Sequence, residues 1–151
     1  MQSSTQGSTI SKKMVWAGRI VSAIPVLMLV FSAVVKFMKP ADVLTEFARL
    51  GYPESVIIGI GTLELLCTVL YVIPQTSILG AILLTGYLGG ATATHVRIGD
   101  PFIYPVIFGV LVWAGLYLRD AQVRSLIPIR PSATRIYFEK DKTNDQQNAQ
   151  A

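Results

Sequence analysis

The feature that most limits what this chain can fold into is an apolar run from Val56 to Ile73 with a carboxylate in its middle. Apart from Glu64, the only ionisable groups in the run are the thiol of Cys67 and the phenol of Tyr71. A run of this length is about enough to cross the hydrocarbon of a bilayer. A carboxylate held at that depth costs about 2.5–3.5 kcal/mol on insertion scales. Glu64 must therefore face protein or water, or carry a proton, and an acid so placed marks a functional candidate.

The rest of the chain has the same character. Of its 151 residues 52% are hydrophobic and only 15% charged, against about 25% charged in soluble domains. Mean hydropathy is +0.51. Charge crowds into the ends and one loop, which describes a single-domain membrane protein. The net charge of +4 does not indicate nucleic acid, because the basic residues form no single run and no aromatic-interleaved patch. One cysteine permits no intramolecular disulfide and no CxxC redox pair, and one histidine permits no bis-histidine haem ligation within the chain.

Along the chain, residues 1–13 read as a disordered polar tail. Residues 14–120 read as a four-helix transmembrane domain with spans at about 15–37, 56–73, 78–94 and 101–118. The first is too long for a signal-peptide core of roughly 7–15 residues and tolerates Pro25 as a kink. Between spans one and two, Val43, Leu44, Phe47 and Leu50 recur at helical spacing with Asp42, Glu46 and Arg49 opposite. That pattern predicts a short amphipathic helix in the membrane interface, capped by Gly51. The Pro74–Ser77 link makes spans two and three a tight antiparallel pair. Residues 121–151 read as a C-terminal tail.

Lysines and arginines set the orientation. Lys12, Lys13, Arg19, Arg119, Arg124, Arg130, Arg135, Lys140 and Lys142 lie on one side, and Lys36, Lys39, Arg49 and Arg97 on the other. The positive-inside rule then places both termini in the cytoplasm and the amphipathic helix outside.

Depth counting locates the polar groups. Glu64 is nine residues from Ile73 and Tyr87 nine from Ile78, so both lie about midway across. Lys36 closes span one and His95 closes span three on the outer side. Lys36 can snorkel outward or turn toward Glu64, about 12 Å deeper by helical rise, which makes a water-mediated link the expectation. Glu64, Tyr87, His95 and Lys36 are the candidate ligand-binding or proton-handling residues. The competing reading of Glu64 is a buried acid hydrogen-bonded to Thr62, Thr68, Tyr87 or a carbonyl. Gly86, Gly89 and Gly90 read as a helix-packing face, with a dimer seam or a ligand slot as the alternatives.

In order and spacing these residues resemble the DoxX-like family of small four-helix integral membrane proteins. The likeness runs from about Val15 to Leu118. It is carried by Arg19, Lys36, the Phe47-Ala48-Arg49-Leu50-Gly51-Tyr52-Pro53 segment, Gly61-Thr62-Leu63-Glu64-Leu65-Leu66, Pro74, and Gly86-Tyr87-Leu88-Gly89-Gly90-Ala91 with His95. The resemblance implies a four-helix bundle. The family name comes from a subunit of a thiosulfate:quinone oxidoreductase, and relatives are linked to membrane redox complexes.

No catalytic, metal or cofactor motif is evident in this sequence, so an enzyme is not the expectation. The leading reading is a non-catalytic subunit or small-molecule-binding bundle of a membrane redox system in a bacterial inner membrane, with a quinone as candidate ligand. Its expected partners are the lipid bilayer and either a redox-complex subunit or further copies of itself. The alternatives are a small proton-coupled transporter working through Glu64, and a membrane assembly factor.

Overall fold

The computed structural model describes residues 11–127, and among these all regular structure is helical. Of the expected tails over residues 1–13 and 121–151, residues 1–10 and 128–151 lie outside the described residues. The elements are α1 (Lys12–Met38), α2 (Ala41–Arg49), α3 (Ile57–Val72), α4 (Ser77–Arg97), α5 (Ile103–Arg119) and α6 (Ala121–Leu126), with 3-10 turns at Glu54–Val56 and Pro74–Thr76. Lys12–Met38, Glu54–Val72 and Pro74–Arg97 are long and apolar enough to cross a membrane, and Ile103–Arg119 is a shorter apolar helix.

The long helices pack as a ring. α1 lies against both α3 and α5, and α4 closes the ring between them. On α3, Ile57, Gly61, Glu64, Cys67, Thr68 and Tyr71 are buried, one helical face turned inward. The outward faces are apolar too: Trp16, Leu27, Phe31 and Val110 are each more than 60% exposed. Water would not tolerate so much contiguous apolar surface, whereas lipid does.

Close approaches occur at glycines that the spacing rule did not single out. A Cβ on Gly80 would collide with the backbone of Tyr71, and one on Gly115 with Ser22. By contrast no heavy atom lies within 4 Å of a Cβ built on Gly86, Gly89 or Gly90. The expected helix-packing role of these three is therefore corrected for the single chain. GxxxG spacing permits close approach, but only the neighbour's position creates it.

One polar network ties the end of the bundle where α1 begins. The Tyr71 hydroxyl donates to the carbonyl of Val112 and accepts from Ser22 Oγ, both at 2.8 Å. Arg119 donates to the Tyr71 carbonyl at 3.0 Å, its guanidinium 4.7 Å from the Tyr71 ring centroid. Just beyond, the Asp120 carboxylate accepts from the backbone N–H groups of Gln122 and Val123 and starts α6. Val123 anchors that helix in the core at 2% exposure.

At the other end, α1 stops at Lys39, which takes a left-handed conformation (φ 46) before Pro40. α2 ends in a Schellman motif. Gly51 (φ 80) donates to Ala48 and Tyr52 to Phe47, and the Phe47 and Tyr52 rings lie 6.1 Å apart. Gly51 thus acts as the sequence reading expected of it.

Candidate functional site

Glu64 is 2% exposed, and its Oε2 accepts a hydrogen bond from Lys36 Nζ at 2.8 Å. The pair is direct, which corrects the expected water link. That expectation set the two span ends at one level, with eight residues of rise between the partners. In the structure α1 runs to Met38 and α3 begins at Ile57, leaving Lys36 two residues inside its helix and Glu64 seven inside its own. The offset falls to about 7–8 Å, within reach of two long side chains on touching helices. Gly61 lets the helices meet: a Cβ there would lie 3.2 Å from Lys36 Cβ and 3.3 Å from the Phe37 ring.

Ser32 completes the group. It lies one turn before Lys36, accepts from Lys36 Nζ, and donates to Glu64 Oε2 at 3.3 Å. Sequence reasoning missed it. The available signal was its position four residues before Lys36, which puts both on one face of α1. The threonines named as alternative partners bond elsewhere, Thr62 to the carbonyl of Ile58 and Thr68 to the backbone carbonyl of Glu64.

The pair forms part of the wall of a cavity of about 830 Å³ that extends between the helices beneath α2. Tyr87 and His95, the other two candidates, line the same cavity, so all four residues border one space. The remaining lining is mainly apolar and aromatic, with Phe31, Phe47, Tyr104 and Phe108 among it. Gly86 and Gly90 line it too, and their missing side chains make room that a larger residue would fill. An ammonium has three hydrogens to donate. Ser32 and Glu64 take two from Lys36, and the third is free for a hydrogen-bond acceptor.

His95 belongs to the rim rather than to the pair. Its Nδ1 is buried and has no hydrogen-bond partner. It lies 3.5 Å from Asp100 Oδ2, too far for a formed bond. Asp100 is instead gripped by Arg49, whose guanidinium donates to both Asp100 oxygens and to both Glu46 oxygens. Hydrogen bonding from Arg49 holds the Glu46 and Asp100 carboxyls below their ordinary values, and the same bonds, Asp100's first, raise Arg49. Arg97 donates to the Leu50 carbonyl. Thr94 spends its one hydroxyl hydrogen on Gly90, so Tyr52 donates to Thr94 at 2.9 Å. These contacts fasten α2 and the turn after it across the mouth of the bundle at the end where α1 stops.

The DoxX-like family model matches residues 20–115, from the third turn of α1 into α5. The chain belongs to the DoxX-like family. The match contains Ser32, Lys36, Glu64, Tyr87 and His95. Membership in the family, with the apolar helices, makes the chain an integral membrane protein. No curated protein and no solved structure matches it.

Proposed function

We propose that this DoxX-like protein is a non-catalytic binding bundle of a membrane redox system, holding a small lipophilic molecule in the cavity beside Lys36 and Glu64. In this reading α1, α3, α4 and α5 all cross a bacterial inner membrane, both termini are cytoplasmic, and α2 lies in the outer interface. The seventeen residues of α5 are at the short end of what a span needs, and the lysine and arginine distribution sets the orientation.

The observation that carries the proposal is the combination of an apolar cavity of about 830 Å³ with one desolvated ion pair in its wall. Small-molecule sites are typically about 300–1,000 Å³, mostly apolar, with a few polar groups that fix orientation. A quinone fits that donor set: its flat ring suits the aromatic lining, and a carbonyl oxygen can accept the unspent hydrogen of Lys36. Glu64 holds Lys36 in place for that contact, and Tyr87 offers a hydroxyl from the same wall. Quinones supply redox chemistry through their own ring. The residues here bind and orient, and the Glu64 carboxylate is the group placed to hold or release a proton at the wall.

The test is binding of a decyl-substituted benzoquinone to the purified protein in nanodiscs, compared with Glu64→Gln and Glu64→Ala. Both variants should bind markedly more weakly, because Lys36 loses the partner that positions it. Wild-type affinity in both would leave Glu64 a packing role only.

A further inference from the structure

We infer that the cavity is loaded sideways from the bilayer and is closed to water by α2, so that its ligand is a lipid-partitioned amphiphile with a hydrogen-bond-accepting head. The inference rests on the cavity being a binding site, and it names the class of molecule and its route.

The first observation is the roof. α2 crosses the outer mouth with Phe47 and Leu50 buried on its inner side, and both residues line the cavity. Its polar side is fastened to the end of α4 and the loop beyond by Arg49 on Asp100 and by Arg97 on the Leu50 carbonyl. Tyr52 on Thr94 adds a third tie beside the same mouth. Lys39 to Glu54, at 3.1 Å, closes the segment on its other side. On its α2 side the cavity is thus covered by Val43, Phe47 and Leu50, with Asp42, Glu46, Thr94 and His95 forming a polar edge to the lining.

The second observation is the wall. Among the lining residues Phe31, Leu63 and Tyr104 are 66%, 53% and 66% exposed. Phe31 lies seven residues inside the end of α1, and Leu63 six residues inside the start of α3. By helical rise both sit about 9–11 Å below the helix ends, at the depth of acyl chains. On the α4 side Gly86 and Gly90 line the cavity with open space where a side chain would stand. The cavity is therefore apolar and unsealed on the side of Phe31, Leu63 and Tyr104, and at its other end it runs under Phe47 and Leu50 to a polar edge whose Arg49 and Arg97 contacts tie α2 down. A hydrophilic solute would have to break the rim and cross the Phe47–Leu50 surface. An amphiphile dissolved in the bilayer needs only to slide its head between helices toward Lys36.

The test uses nitroxide labels in lipid nanodiscs, with Cys67→Ala as background. The label goes on Gly90→Cys, and independently on Gly86→Cys, both positions with room for a side chain. Reference labels are Val110→Cys on the outward face of α5 and Thr45→Cys on the exposed side of α2. Relaxation by dissolved oxygen reports contact with lipid, and relaxation by a water-soluble nickel chelate reports contact with water. The inference expects the cavity labels to match Val110, high in oxygen and low in nickel. Nickel relaxation approaching that of Thr45 would show a water-loaded site and overturn it. Low values for both agents would show a sealed cavity and overturn it equally. No ligand takes part, so failure to bind a quinone and failure of the lateral route are separate results.

Discussion

The Lys36–Glu64 pair yields the sharpest energetic prediction. Glu64 is 2% and Lys36 14% exposed, so both charges are largely removed from bulk water. Removing one partner of such a pair leaves an uncompensated buried charge and costs about 3–5 kcal/mol. The two halves should not be equal. Lys36→Met strands the shorter, more deeply buried carboxylate and belongs near the upper end, about 5 kcal/mol, unless Glu64 takes up a proton. Glu64→Leu strands an ammonium on a flexible stem that can swing toward the cavity or the rim, nearer about 3 kcal/mol. The double variant, Lys36→Met with Glu64→Leu, removes both desolvation costs and should return to wild-type stability or exceed it by about 1–4 kcal/mol. Reversible unfolding of the four proteins in detergent, followed by circular dichroism, closes the cycle. If each single change costs under about 1 kcal/mol and the double equals their sum, the two charges are not coupled and the account of the pair is wrong.

Other outcomes follow from the same contacts. Gly80→Ala should destabilise by about 1–3 kcal/mol, because its methyl meets the Tyr71 backbone. Gly89→Ala should be neutral or stabilising by up to about 1 kcal/mol, since nothing lies near it; thermal unfolding of the pair distinguishes the sites. Tyr71→Phe should cost about 1 kcal/mol by losing the bonds to Ser22 and Val112, read by the same assay. Glu46 and Asp100 ordinarily titrate near 4.5 and 3.8 and are lowered here. Their contribution to holding α2 is therefore complete above those values and lost as pH falls through the lowered ones. A nitroxide at Thr45→Cys should be immobile at neutral pH and loosen in acid, and the Asp100→Asn, Glu46→Gln variant should be loose throughout. If a pH gradient drives solute flux in proteoliposomes, the transporter reading replaces the binding bundle.

Much of the architecture was legible because lipid simplifies the problem. Apolar runs, Pro40, Pro53 and Pro74 as breaks, and the two-faced 41–50 segment gave the helices and their order. Matched counting from the Pro74–Ser77 link put Glu64 and Tyr87 at one depth, and both line the same cavity. What failed depended on how helices slide and rotate against each other. Lys36 meets Glu64 directly because Gly61 brings α3 against the end of α1, an offset that counting along one helix cannot contain. The 86–90 glycines looked like a packing face, yet the close contacts fall at Gly18, Gly61, Gly80 and Gly115, whose importance appears only once their neighbours are in place. Ser32 went unnoticed because a serine in an apolar helix usually satisfies itself on its own backbone.

The central claim is that the cavity beside Lys36 and Glu64 holds a small lipophilic molecule. Native mass spectrometry of the protein released from its own membrane tests it most directly, comparing wild type with Gly90→Phe, whose ring would occupy the cavity. The account predicts a retained adduct of one small molecule per chain in the wild type and its loss in the variant. A bare wild-type protein, or the same adduct in both, would contradict it.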